Sequence, residues 1–128
     1  MLLASCAAAP SPDPALRIRI ANAGTQPLQC RVMFGHWVDR DLGLVTANEV
    51  SIAVQQQPRD GALYVLRDDG RRRMMVENIY CAQPGNWQAT VGQMDLAVVR
   101  RQRPKDVSVR CALPAAGGRV TCSEPNLR

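Results

Sequence analysis

The one histidine, His36, sits in Gly35-His36-Trp37-Val38-Asp39-Arg40-Asp41, close in sequence to two carboxylates. A hydrolytic Ser-His-Asp relay needs such a base and such an acid, so the nucleophile decides the matter. No Gly-x-Ser-x-Gly elbow occurs in the chain to present one. Ala115-Ala116-Gly117-Gly118 lacks the lysine and the strand-to-helix setting of a phosphate loop. Glycoside chemistry would need two facing carboxylates. Asp68-Asp69, followed by Gly70, is better explained by a turn, as is Asp41 before Leu42-Gly43. The expectation is therefore a protein without catalytic residues or a cofactor. The same stretch is the best candidate for contacting another protein, through His36, Trp37 and Arg40, because Trp and Arg dominate interface hot spots. The competing reading takes Trp37 into the core, since Phe34, Trp37, Tyr64, Tyr80 and Trp87 are all the aromatics available to fill it. His36 would then be a loop histidine partly covered by Trp37.

Cysteine is the second reactive type. Cys6, Cys30, Cys81, Cys111 and Cys122 make an odd set that becomes even once Cys6 is set aside. No two of them form a Cys-x-x-Cys pair, and His36 is not spaced to complete a zinc site, so a metal centre is not expected. Two disulfides would imply an oxidising compartment; four reduced, buried thiols would imply a cytosolic one. Four cysteines allow three pairings. Val107 to Cys122 reads as a hairpin turning near Ala115–Gly118, which places Cys111 and Cys122 on adjacent strands. That favours Cys111–Cys122 and leaves Cys30–Cys81 to close the longer loop.

Positive charge is the third feature. The net charge is +5, and all but one of the sixteen cationic side chains are arginine. Residues 67–128 hold eleven of the sixteen. Arg71-Arg72-Arg73 and Arg100-Arg101-Gln102-Arg103-Pro104-Lys105 are the two clusters. They are candidate anion-binding groups: Arg71, Arg72, Arg73, Arg100, Arg101, Arg103 and Lys105. The bland alternative is a solvated surface. Nucleic acid is an unfavoured partner, because the aromatics are not interleaved with the arginines as in stacking platforms.

Leu3-Ala4-Ser5-Cys6 resembles the lipobox of bacterial lipoproteins: an aliphatic residue, two small residues, then the cysteine. The resemblance implies a diacylglyceryl thioether on Cys6, removal of residues 1–5 and acylation of the new amino terminus. The chain lacks the charged and apolar segments that precede the motif in that family, which suggests a start codon placed too late. Ala7 rather than aspartate after the cysteine leans towards the outer membrane. Ala7-Ala8-Ala9-Pro10-Ser11-Pro12-Asp13-Pro14 is a tether by composition, since alternating prolines favour an extended chain. Eight such residues span about 25 Å.

Behind the tether (6–15) stands a single domain over 16–124, with a short tail at 125–128. Leu16, Ile18 and Ile20 alternate with Arg17 and Arg19, as in a half-buried strand. Leu28, Cys30, Val32 and Phe34 share a strand face, with Gln29, Arg31 and Met33 opposite. Residues 35–49 read as a long connection. Residues 50–77 read as a three-stranded meander, with turns at Pro58–Gly61 and Asp68–Gly70. Were its last strand at an edge, Arg71–Arg73 would also discourage unwanted pairing. Residues 90–100 are read as a strand bent at Gly92, on the alternation of Met94, Leu96 and Val98. About seven or eight strands predict an all-β fold, an antiparallel sandwich or a small barrel. The immunoglobulin signature fails, because Trp37 follows Cys30 too soon and Tyr80 adjoins Cys81. No apolar run reaches the ~20 residues of a membrane-spanning helix.

The functional expectation is a non-catalytic lipoprotein of the bacterial cell envelope. Its β domain would face the periplasm and serve as a binding or assembly component for an envelope protein partner. Two alternatives stand beside it: a soluble periplasmic enzyme or enzyme inhibitor using residues 36–41, and a cytosolic domain binding nucleic acid through the arginine clusters.

Overall fold

In the computed structural model, residues 13–67 and 70–128 are described. The lipobox-like stretch, Cys6 and the tether before Asp13 lie outside them, as does Asp68-Asp69. The strands are β1 (Ala15–Asn22), β2 (Leu28–Phe34), β3 (Val38–Val45), β4 (Glu49–Gln56), β5 (Leu63–Leu66), β6 (Arg73–Ala82), β7 (Gly92–Gln93), β8 (Asp106–Ala112), β9 (Thr121–Cys122) and β10 (Asn126–Leu127). Two short helices, α1 (Trp87–Thr90) and α2 (Ala97–Gln102), lie between β6 and β8.

The alternation of β1 and β2 does what it predicts. Leu16, Ile18, Ile20, Leu28, Cys30, Val32 and Phe34 are buried, while their sequence neighbours face outward. The meander also forms, with β4, β5 and β6 pairing antiparallel in sequence. All described strands join one sheet in the order β10-β8-β1-β4-β5-β6-β2-β3, with β7 on β6 and β9 on β8. The long strand β6 links its halves: Arg73–Met75 pair with β5, and Val76–Ala82 pair with β2. Side chains from both halves merge into a single buried cluster.

Several expectations need correction. The fold is all-β, but the sheet is open, with β10 and β3 at its edges, so no barrel closes. It is mixed rather than antiparallel, because β8 runs parallel to β1. Parallel neighbours need a long crossover, and everything from β2 to α2 supplies it. Ten strands form among the described residues rather than seven or eight; the additional ones are β3, within the expected connection, and β10, within the expected tail. Leu127 pairs with Val107 and packs on the core, so the expected tail is part of the domain. Strand β6 is internal to the sheet order, between β5 and β2, although its Arg73–Met75 end pairs on one side only, with β5.

Residues 38–45 form a strand, not a connection. Its alternation is broken by a bulge: Arg31 pairs with Asp41 and Cys30 with Gly43, leaving Leu42 unmatched. Residues 90–100 do not form one bent strand: only Gly92–Gln93 is strand (β7), and α2 begins at Ala97. Leu96 and Val99, three apart, both face the core from one side of α2, and the Asp95 carboxylate accepts the Ala97 N–H at 3.0 Å. Gly92 is required by a close approach rather than a bend, because a Cβ there would strike the Val120 carbonyl. Buried Gln56 joins α2 to the meander by donating to the carbonyls of Gly61 (3.0 Å) and Val99 (3.1 Å).

Both expected disulfides are present, Cys30–Cys81 and Cys111–Cys122. Each joins residues directly opposite on neighbouring strands. An immunoglobulin disulfide instead crosses between facing sheets.

Candidate functional site

The turn Gly35–Trp37 carries the chain from β2 to β3, with Phe34 and Val38 as its flanking register pair. His36 (φ 65°) and Trp37 (φ 64°) are both left-handed. Tight hairpins favour this conformation at successive positions, normally with Asn-Gly. For a bulky side chain it is an outlier. Trp37 is 92% exposed, which overturns its expected place in the core. The reason is positional: buried Phe34 already closes the core below the tip, and the turn carries Trp37 beyond the last strand pair. Arg40 lies over the Phe34 ring at 5.5 Å. A hollow of about 370 Å³ separates the start of β3 from the β5–β6 side, lined by Val38, Arg40, Leu66, Arg67 and Met74 among others.

The carboxylates near His36 in sequence serve other groups. Asp39 pairs with Arg31 at 3.5 Å, and Asp41 accepts the Gly43 N–H at 3.0 Å within the bulge. His36 is thus a projecting tip residue with no carboxylate oriented towards it by these bonds.

Sequence reasoning missed a second hollow, about 210 Å³, on the outer side of β2 and β6. Arg31, Met33, Tyr80 and Trp87 line it, and the Arg31 guanidinium stacks 4.8 Å from the Trp87 ring centre. The signal was available: Arg31 and Met33 alternate with the core residues of β2, so they must face outward.

The two arginine clusters, far apart in sequence, flank the start of β1. Arg73 lies 3.6 Å from the Asp13 carboxylate and 4.6 Å from the Tyr64 ring centre. The Tyr64 hydroxyl donates to the same carboxylate at 2.6 Å. Burial raises the Tyr64 pKa above its usual value; the Asp13 hydrogen bond adds to this and the Arg73 charge opposes it. Arg71 and Arg72 are exposed beside Arg73. On the other flank, Arg103, Pro104 and Lys105 share a hollow of about 260 Å³ with Pro14, Ala15 and Gln56. The Arg103 guanidinium reaches the Arg59 carbonyl at 3.5 Å, which brings a further arginine into the group. The Lys105 N–H donates to the Arg128 carbonyl at 2.8 Å, adding another from the chain's last residues. Arg101 is exposed on α2. Arg100 differs: it donates to the carbonyls of Val76 (3.1 Å) and Glu77 (3.0 Å), and so fastens α2 to β6.

Among the described residues, no cluster of His, Cys, Asp and Glu is arranged to hold a metal ion. No protein family, curated protein or solved structure matches the chain.

Proposed function

We propose that the protein is a non-catalytic lipoprotein of the bacterial cell envelope. Cys6 carries the lipid, and the β domain faces the periplasm from the outer membrane as a binding or assembly component. The observation that carries this reading is the pairing of the other four cysteines with one another. Two disulfides suit an oxidising compartment. They also use up the thiols that Cys6 could otherwise have joined, which suits a cysteine reserved for lipid. The resemblance of Leu3-Ala4-Ser5-Cys6 to a lipobox supplies the chemistry, and the proline-spaced segment after it supplies the reach.

Mass spectrometry of the full-length gene product from its host's membranes tests the reading. The expected N-terminal peptide begins at Cys6 and carries a diacylglyceryl group and an amide-linked acyl chain. An unmodified Cys6 still joined to Ser5 would overturn it.

A further inference from the structure

The Trp37 turn and the arginine groups belong to one end of the domain. Val38 and Arg40 share a hollow with Leu66 and Arg67, so the turn adjoins the β5–β6 side. Arg73 begins β6 there and meets Asp13, the first described residue. Arg103 and Lys105 stand on the other flank of the same chain segment. The segment preceding β1 therefore leaves the domain between the arginine clusters. The exposed apolar side chains at this end are Trp37 at 92%, Val38 at 47% and Leu66 at 39%.

We infer that this end docks on a lipid bilayer surface bearing anionic headgroups. Trp37 enters the headgroup layer, and Arg71, Arg72, Arg103 and Lys105 meet the phosphates. The inference rests on the lipoprotein reading for its orientation, and three observations select the occupant. The first is where the chain goes. On that reading only residues 7–12 separate Cys6 from Asp13, and six extended residues reach about 19 Å. Any slack brings the basic side chains within the ~8–10 Å over which a charged surface acts at physiological salt. The second is charge. Asp13 is paired with Arg73, and against the Asp60 carboxylate stand exposed Arg59, Arg103 and Lys105. Asp68 and Asp69 share the 67–73 stretch by sequence, so Arg103 and Lys105 on the other flank matter as much as Arg71 and Arg72 to the cationic excess. The third is the form of the apolar groups. A projecting indole at a basic end suits the headgroup level of a membrane.

The test uses the full chain with Cys6→Ser, which cannot be lipidated, and with Trp87→Phe, so that Trp37 is the only indole. The protein is mixed with vesicles of phosphatidylcholine alone, or with phosphatidylglycerol added. The expected result is a blue shift of Trp37 emission and co-sedimentation with the anionic vesicles only, both lost at 1 M salt, where the screening length falls to about 3 Å. Replacing Arg71 and Arg72, or Arg103 and Lys105, by Gln weakens binding about five-fold per charge removed. In the Trp87-containing protein, Trp37→Ala weakens co-sedimentation about ten-fold. Circular dichroism confirms that each variant is folded. Absence of binding to anionic vesicles would overturn the inference. So would binding indifferent to these substitutions, or a Trp37 shift produced by a purified envelope protein and not by vesicles. Because this protein carries no lipid, the vesicle result is independent of what mass spectrometry finds on Cys6.

Discussion

The two ends of the sheet are held by different means. At the end where β1 and β8 finish and β2 begins, both disulfides close strand pairs. Asn22 donates to the carbonyls of Gln26 (2.7 Å) and Val45 (2.9 Å), and the Val120 N–H meets the Thr90 carbonyl at 2.7 Å. The loops there, 23–27, 46–48, 83–86 and 113–119, hold a single charged residue, Arg119. The opposite end has no covalent bridge among its described residues. It is held by Tyr64 on Asp13 and by Gln56 on Gly61 and Val99. It carries the arginine groups, the exposed Trp37 and, among the described residues, the three left-handed non-glycine positions, His36, Trp37 and Arg103. Cross-links at the neutral end let the other end keep exposed and strained groups without risk to the fold. Stability and contact are thus assigned to opposite ends of the same strands.

The largest break in that comparison comes from the neutral end. Converting Cys30 and Cys81 together to Ala removes a closure spanning 51 residues. In the chain-entropy account this costs about 4 kcal/mol. Urea denaturation should show that loss, while vesicle binding of the folded fraction stays unchanged. Parallel loss of binding would mean that the two ends are not separable. Gly92→Ala comes next. The added Cβ meets the Val120 carbonyl, which is backbone and cannot rotate aside. Overpacking of this kind costs about 2 kcal/mol, read as a lower Tm. An unaltered Tm would show that the β7–β9 approach is looser than described.

At the basic end the effects are smaller. Tyr64→Phe deletes the hydroxyl bonded to Asp13 and should cost about 1 kcal/mol at neutral pH. The substitution also has a pH signature. Burial raises the folded-state pKa of Tyr64 above its usual 10.0. The folded protein therefore holds the phenolic proton more tightly than the unfolded chain does. The associated stability is fully present below the unfolded pKa and is lost as pH rises through the folded value. Native Tyr64 should thus give a downturn in stability above about pH 10 that the Phe variant lacks. Equal alkaline slopes in urea melts of the two proteins would contradict the raised pKa of Tyr64.

How much of this was legible in the sequence depended on whether the local pattern matched its period. The faces of β1 and β2 were, because Leu16, Ile18 and Ile20, and Leu28 to Phe34, alternate without interruption. The β4-β5-β6 meander and the Cys111–Cys122 pairing were, because turn residues marked the hairpins, and Cys30–Cys81 followed by elimination. Strand β3 was not, since an edge strand reading Asp39-Arg40-Asp41 buries little and its bulge breaks the alternation at Leu42. Residues 94–99 misled because Met94, Leu96 and Val98 satisfy a period of two, while Leu96 and Val99 satisfy the helix that forms. The parallel β1–β8 pairing left no local trace. Nor did the gathering of Arg59, Arg73, Arg103 and Arg128, which chain topology brings to one end. The 36–40 stretch was found for its composition, yet its exposure ran against the expectation that a scarce aromatic would be spent on the core.

The smallest expected effect is also the one that separates the ends most sharply. Trp37 is left-handed at φ 64° and 92% exposed, so its ring adds almost nothing to packing. Holding a side chain in that region costs about 1–2 kcal/mol. Glycine removes this cost but gives back roughly 0.5–1 kcal/mol through a more flexible unfolded chain. Trp37→Gly should therefore raise stability by about 0.5–1 kcal/mol, seen as a higher urea midpoint at an unchanged m-value. The same variant should lose vesicle affinity as Trp37→Ala does. A residue retained for the fold would produce the opposite sign. Were Trp37→Gly to destabilise the domain, the indole would be packing against Val38 or Arg40, and the basic end would belong to the structural half of the comparison.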